Sequence, residues 1–336
     1  MTTRRANTAR RLTGPHRTAA PLAGRVAIVA GATRGAGRGI AIELGEAGAT
    51  VYCTGRSVRG APSPLSRPET IEETAELVTA AGGTGIAMRV DHTLEKDVAA
   101  LVARVAQEQD ARLDLLVNDV WGGDSAGDWL WKPLHKTDVE AGWQLMRQAV
   151  FSHMLTTRLA APLMIARRSG LIVEFTDGDT LSYRGAIFYD LIKTSIMRLA
   201  FAMSVELRPH RVAAIAVSPG FLRSEAMLEH FGVTEATWRD GVKKDEHFAA
   251  SETPRLVGRA VAALAADRNV FAQSGETMAS WDVARQYKLT DIDGRRPDWL
   301  AHFRANIPRN HPVRGWMRRT HDWEKVIARK TRRFLG

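Results

Sequence analysis

The chain has 336 residues, 45% hydrophobic and 25% charged, with a formal net charge of +10. These proportions exclude collagen-like, coiled-coil and wholly disordered chains. No stretch approaches the roughly 20 uncharged apolar residues of a membrane-spanning helix, so no membrane span is expected. The charge is unevenly placed: residues 1–24 hold Arg4, Arg5, Arg10, Arg11 and Arg17 with no acid, and residues 301–336 hold ten Lys and Arg against Asp322 and Glu324. Taking these +5 and +8 from the total leaves residues 25–300 at −3, and a body of that sign is not expected to bind nucleic acid. Cys53, the single cysteine, excludes an intramolecular disulfide and fits a buried thiol in a reducing cytoplasm.

Residues 1–23 read as a disordered basic arm. They are Arg- and Thr-rich like an organellar transit peptide, but without an amphipathic period or an apolar secretion core. From Arg25 onward, strand-length apolar runs at Val26–Ala30, Thr50–Cys53, Ile86–Val90, Leu113–Val117, Leu171–Phe175 and Val212–Val217 alternate with helical periods at about 37–47, 69–81, 95–108, 139–168 and 186–208. Repeated strand-helix-strand units require crossover connections. The expected fold is therefore α/β, a doubly wound Rossmann-type parallel sheet forming a single domain over 24–287. An insertion at Arg59–Arg67 carries Pro62 and Pro64. Beyond 288 the alternation stops, and 288–336 reads as a basic, Trp- and Arg-rich C-terminal extension whose Trp316, Trp323 and Phe334 could dock on a neighbouring subunit.

The first strand runs directly into Gly31-Ala32-Thr33-Arg34-Gly35-Ala36-Gly37, which opens a helix. Glycines there permit a tight turn and close approach to a pyrophosphate that the helix N-terminus stabilises. At the end of the second strand, where an NAD site places a carboxylate on the ribose hydroxyls, stand Gly55 and Arg56. With Arg34 they favour a 2′-phosphate, hence NADP(H). Tyr189 and Lys193, four apart on one helical face, can meet at a cofactor ribose. An ammonium beside a phenol favours the phenolate, which would make Lys193 the charge that tunes Tyr189 for proton transfer.

The G-x-x-x-G-x-G spacing, Tyr189-x-x-x-Lys193, Asn118-Asp119-Val120-Trp121 after the fourth strand, and Pro219-Gly220 with Ser224 after the sixth resemble the short-chain dehydrogenase/reductase superfamily over about 24–286. Within it, Ser182-Tyr183, Phe188 to Lys193, Ala284-Arg285-Gln286-Tyr287 and Thr290-Asp291-Ile292-Asp293-Gly294 are similar to the member 1-like subfamily and its bacterial relatives. The resemblance implies a homodimeric or homotetrameric NADP(H)-dependent oxidoreductase that interconverts a carbonyl and an alcohol on an apolar small molecule. Cofactor contacts are implied for Gly31, Thr33, Arg34, Gly35, Gly37, Arg56, Asp91, Asn118, Tyr189, Lys193, Pro219, Gly220 and Ser224, and catalysis for Tyr189, Lys193 and a hydroxyl at the end of the fifth strand. Spacing from Tyr189 puts that last position at Thr176, whereas strand register puts it at Asp177. A hydroxyl can donate to a developing alkoxide, so chemistry favours Thr176. The usual relay Asn of the fourth helix is replaced by Ala149. Trp121, Trp129 and Trp131, with Met227, His230 and Phe231, suggest an apolar substrate wall. The altered Asn118-Asp119 and Thr176-Asp177 pairs, with Ala149, leave open a dinucleotide-binding sensor or scaffold with a degenerate site, and the basic ends leave open nucleic-acid or anionic-surface binding. No Cys/His cluster has metal-ligand spacing.

Overall fold

A computed structural model describes residues 20–61, 66–181 and 183–306. Seven strands, β1 (Val26–Ala30), β2 (Thr50–Gly55), β3 (Thr84–Arg89), β4 (Leu115–Asn118), β5 (Gly170–Phe175), β6 (Val212–Ser218) and β7 (Thr277–Ala279), form one parallel sheet in the order β3-β2-β1-β4-β5-β6-β7. The order reverses between β1 and β4, and in open parallel sheets ligands bind outside the carboxyl ends of the strands at that switch point. The helices are α1 (Gly35–Glu46), α2 (Ile71–Ala80), α3 (Glu95–Glu108), α4 (Val139–Met146), α5 (Ser152–Arg167), α6 (Ile187–Glu206), α7 (Glu225–Phe231), α8 (Pro254–Ala266), α9 (Ser280–Tyr287) and α10 (Trp299–Asn306).

Strand alternation divides the core. Ala27 and Val29 of β1 join Ile40, Leu44, Val257 and Val261 of α1 and α8, whereas Val26 and Ile28 join Leu101, Val105 and Met164 of α3 and α5 on the other face. Such two-sided burial explains why the strands read as continuous apolar runs. β7 lacks that signal because it has only three residues. α4 and α5 form one continuous helical stretch, Val139–Arg167, joined by a π-helical turn at Arg147–Phe151. This stretch is long and apolar enough to pass for a bilayer-crossing helix, but half of its most apolar 18-residue window is buried inside the domain, where α5 lies on β4 and β5.

The predicted boundaries shift at both ends. Leu22 is buried and its N–H bonds Ala47 O, so the packed chain begins before 24. Residues 288–306 lie on the body: Asp291 is 1% exposed and accepts from the N–H and hydroxyl of Thr253 at the start of α8, and Trp299 of α10 meets Phe221 edge-on. An acid buried as a cap leaves no hydrophobic periodicity, which is why this segment reads as an extension. Residues 1–19 of the arm, and Trp316, Trp323 and Phe334, lie outside the described residues.

α1 and α8 cross closely because Gly39 and Gly258 face one another's backbones: a Cβ on Gly39 would overlap the Pro254 carbonyl, and one on Gly258 would reach within 2.6 Å of Gly39 O. Gly39→Ala should therefore destabilise the domain by about 1–3 kcal/mol, the scale of core overpacking. Urea unfolding checks it, and a midpoint equal to wild type would show that the two helices slide apart freely.

Candidate functional site

The chain leaves β1 at Ala30 and turns through Gly31–Gly37 into α1. Gly31 holds φ +91°, and a Cβ there would overlap the Asp119 carbonyl at the end of β4. At Gly37 a Cβ would press on Gly31 O and on the Asp119 carboxylate, which accepts the Gly37 N–H. The turn opens on a cleft of about 480 Å³ at the switch point, lined by the predicted Gly31, Thr33, Arg34, Gly35, Arg56, Asp91, Lys193 and Ser224. That is a ligand-sized volume. The Gly35 N–H at the start of α1 donates to Glu225 Oε2 at 2.8 Å, so a carboxylate takes the position where a helix N-terminus would hold a phosphate oxygen.

The adenosine end is basic. β2 ends at Gly55 with no carboxylate, and Arg34, Arg56 and Arg89 line this part of the cleft. Arg34 Nε bonds Glu69 at 3.3 Å, while its Nη2 is buried without a hydrogen-bond partner among the described residues. Burial alone would raise the Asp91 pKa, but the Thr93 hydroxyl and N–H, with Arg56, hold it below the usual carboxylate range. The glycine cradle, the carboxylate on the Gly35 amide and the orphaned Arg34 Nη2 fit a dinucleotide phosphate. When bound, the dinucleotide would supply or accept a hydride.

At the other end, α6 carries Tyr189 and Lys193. Tyr189 is flanked by Trp121, edge-on with centroids 5.5 Å apart, and by Trp131 at 5.5 Å. Lys193 Nζ lies 4.3 Å from the Trp121 ring centroid and 5.6 Å from that of Tyr189. The phenol donates to Asp177 Oδ2 at 2.6 Å. Thr176 is fully buried and donates to Lys193 O at 2.8 Å, so its predicted place beside the substrate oxygen is corrected: the side chain facing Tyr189 belongs to Asp177. Successive residues leaving β5 point to opposite sides, and register prevails over spacing.

The expectation that Lys193 makes the phenol more acidic is also corrected. Burial, then the Asp177 charge and hydrogen bond, push Tyr189 well above its ordinary pKa, with Arg184 opposing. Burial lowers the Lys193 pKa, opposed by Asp177, Asp119 and Asp124. Asp119 is raised to about 8 by burial, against the pull of Lys193 and the Gly37 N–H.

Several predicted contacts are structural instead of lining the cleft. Asn118 is fully buried: Nδ2 donates to Glu174 Oε1 at 2.7 Å and to Thr157 Oγ1 at 3.0 Å. Glu174 also pairs with His153 Nδ1 at 2.7 Å, and His153 Nε2 reaches Val120 O at 3.1 Å. Pro219 and Gly220 also fall outside the lining residues. Glu252 accepts the Gly220 N–H at 3.0 Å and the Ser280 hydroxyl at 2.6 Å. Gly37 is enclosed by Asp119, and Tyr189 stands beside the cleft against Trp121.

Ala149 sits fully buried in the π turn, and its neighbour Gln148 lines the cleft in its place. Of the expected aromatic wall, Trp121 and Trp131 meet Tyr189, whereas Trp129 packs on Phe188 and Phe231 on Phe248 at 4.3 Å. Sequence reasoning passed over Asp124, Gln148 and Glu225, which line the cleft but belong to no spaced motif. Among the described residues, no group of His, Cys, Asp and Glu could hold a metal ion.

A glycine turn into α1, a cleft at the switch point and a Tyr-Lys pair on α6 define a dinucleotide-binding oxidoreductase fold. The short chain dehydrogenase family model matches residues 25–232, and the chain belongs to that family. It is 34% identical over 280 residues to human dehydrogenase/reductase SDR family member 1, covering 82% of this chain and 86% of the relative. It is 30% identical over 210 residues to a 7alpha-hydroxysteroid dehydrogenase of Clostridium sardiniense, covering 62% and 75%. A solved hydroxysteroid dehydrogenase from Escherichia coli superposes with a TM-score of 0.62 at 22% identity, covering 77% of this chain and 96% of that one.

Two outcomes follow from this geometry. Glu225→Gln should tighten dinucleotide binding about tenfold, because the carboxylate that competes for the Gly35 N–H loses its charge. Quenching of tryptophan fluorescence in a titration reads it, and weaker binding would make Glu225 a support of the site. Burial raises Glu252 from 4.5 to about 8. Because the folded state binds that proton more tightly than the unfolded chain, its contribution to stability is complete below about 4.5 and is lost as pH rises through about 8. Glu252→Gln should therefore gain on wild type in melting temperature across that window. A constant gap between the two would show that Glu252 is not titrating there.

Proposed function

We propose that the protein is an NADP(H)-dependent oxidoreductase that interconverts a carbonyl and an alcohol on an apolar small molecule, with Tyr189 as proton donor and acceptor. The observation that carries the cofactor choice is Arg34 Nη2, buried and unpartnered among the described residues, beside Arg56 and a β2 terminus without a carboxylate. A 2′-phosphate would give Arg34 Nη2 an acceptor and a second anion to Arg56, whereas a ribose hydroxyl offers no charge to either. Trp121 and Trp131 at Tyr189 support an apolar substrate. The buried Cys53 thiol, pushed up to about 12 by burial, supports a reducing, cytoplasmic setting, and the family resemblance supports a homo-oligomer.

Arg56→Ala should weaken NADPH binding by roughly tenfold or more and leave NADH binding little changed, since a charge-assisted contact contributes about 1.5–3 kcal/mol. Equal loss for both cofactors would remove the 2′-phosphate reading. Tyr189→Phe should cut turnover of a carbonyl substrate by about 10²–10⁴-fold while cofactor binding persists. The competing reading, a dinucleotide-binding protein without chemistry, draws on the tightly held Tyr189 proton. It prevails if wild type and Tyr189→Phe convert no substrate at all.

A further inference from the structure

The insertion at Arg59–Arg67 ends on a side chain that reaches the basic end of the cleft from outside it. Arg67 is not one of the cleft-lining residues, yet its guanidinium grips Glu69 along one edge: Nε donates to Oε2 at 3.3 Å and Nη2 to Oε1 at 3.1 Å, while Nη1 bonds Glu229 of α7. This is the fork in which arginine holds a carboxylate by two parallel bonds. With 14% of the Arg67 side chain and 10% of the Glu69 side chain exposed, the pair is largely sheltered from screening. Burial alone would raise the Glu69 pKa, but the Arg67 hydrogen bonds, ahead of the charge of Arg34, hold it below the usual carboxylate range.

Arg34 presents the same edge to the same carboxylate and receives only half of it. Its Nε shares Glu69 Oε2 at 3.3 Å, whereas Oε1, the oxygen that would complete a fork with Arg34 Nη2, is taken by Arg67. Arg34 Nη2 is left without a partner among the described residues. The bond that does fasten Arg34 is long and shared, so an anion entering the cleft has little to displace. The end of β2 offers no rival acid, because a Cβ on Gly55 would lie 2.7 Å from Thr33 Oγ1 and 3.2 Å from Ile71 Cγ2. Glu69 is the carboxylate that decides how free Arg34 is.

We propose that Arg67 is a positioning residue that sets the preference for a 2′-phosphate: by forking Glu69 it prevents that carboxylate from closing on Arg34 and keeps Arg34 available to the anion. This rests on the NADP(H) reading above and adds to it a residue that touches neither cofactor nor substrate. Without Arg67, both Glu69 oxygens are open to the Nε/Nη2 edge of Arg34, and a phosphate must break a two-bond ion pair before it gains one. A dinucleotide that lacks the 2′-phosphate brings no anion to Arg34, so its affinity is indifferent to this exchange. The direct pull of the Arg67 charge on a phosphate is a separate effect. It would survive neutralisation of Glu69, whereas an effect relayed through Glu69 would vanish.

The test is a double-mutant cycle read by calorimetric titration as the ratio of NADH to NADPH dissociation constants, with no turnover required. Wild type should favour NADPH by at least about tenfold. Arg67→Met, which keeps an aliphatic stem, should lower the ratio by at least about fivefold through weaker NADPH binding, with NADH affinity preserved. Glu69→Gln should hold the ratio at or above the wild-type value, and adding Arg67→Met to it should change the ratio by less than about twofold. Adenosine 2′,5′-bisphosphate compared with adenosine 5′-monophosphate should repeat the pattern, since the two differ only in the 2′-phosphate. A full fivefold loss in the Glu69→Gln background would assign the effect to the charge of Arg67 itself, and equal weakening of NADPH and NADH in Arg67→Met would make Arg67 a support of the fold; either result overturns the proposal. Should Arg67→Met fail to fold, Glu69→Gln judges alone: a lower NADPH preference than wild type overturns the proposal. Equal affinity of wild type for the two cofactors would remove the NADP(H) reading and this proposal together, whereas a wild-type preference that Arg67→Met leaves intact would remove the proposal alone.

Discussion

Alternation at the end of β5 decides which side chain meets Tyr189 and which holds α6 to the sheet. One residue, Thr176, turns inward and is spent on the Lys193 carbonyl, which fixes α6 against the sheet. The next, Asp177, turns to the open side and meets Tyr189. Had the register slipped by one, a hydroxyl would face the phenol, and an ionisable carboxyl would be driven into a fully buried position at a cost of several kcal/mol. The placement of the acid is thus fixed by the same two-sided burial that holds the sheet together.

Beneath that edge lies a layer of buried polar groups joined in two strings. Asn118, Glu174 and His153 link β4, β5 and α5 up to the Val120 carbonyl, while His92 bridges the hydroxyls of Thr54 and Thr156 at 2.8 and 2.9 Å. Burial drives His92 down to about 3, with His153 adding repulsion, so its ring is neutral and serves as donor on one side and acceptor on the other. Partners of this kind are expensive to lose one at a time, since each removal strands a buried group. The layer holds the strand ends level and lets the segment after β4 carry Asp119 and Trp121 into the cleft without its backbone giving way.

The sheet, its first six strands and the helices through α6 were legible because parallel strands and their covering helices must be apolar in fixed periods. The glycine turn was legible for a similar reason: backbone contacts at Gly31 and Gly37 admit no side chain. What escaped were the features decided by contacts far apart in sequence. Gly35 meets Glu225 across 190 positions, and no local pattern announces that a carboxylate will take the amide of a phosphate-binding turn. Asn118 sits in a recognised motif position, yet its partners Thr157 and Glu174 are supplied by α5 and β5 and turn it into a core residue. The Thr176-Asp177 choice depended on a single step of register. The choice by chemistry failed because it weighed which side chain could donate to a developing alkoxide, whereas the step of register sends Thr176 to the Lys193 carbonyl and Asp177 to Tyr189.

At the phosphate end of the cleft a chain of charges runs through α7. At the phosphate end, Ser224 caps that helix, Glu225 reaches the Gly35 N–H, and Glu229 pairs with Arg67, which also holds Glu69 at 3.1 Å. Glu69 in turn engages Arg34, so the guanidinium left incomplete at Nη2 belongs to the same chain of charges that fastens the helix. A phosphate and the Glu225 carboxylate cannot both accept one N–H, and a state with both close together would suffer like-charge repulsion. Dinucleotide phosphate and the seated position of Glu225 are therefore mutually exclusive, and whatever free energy seats the carboxylate is subtracted from cofactor affinity. At the chemical end the counter-charge is already in place: Asp177, Asp119 and Asp124 favour the charged form of Lys193, and Arg184 opposes the pull of Asp177 on Tyr189.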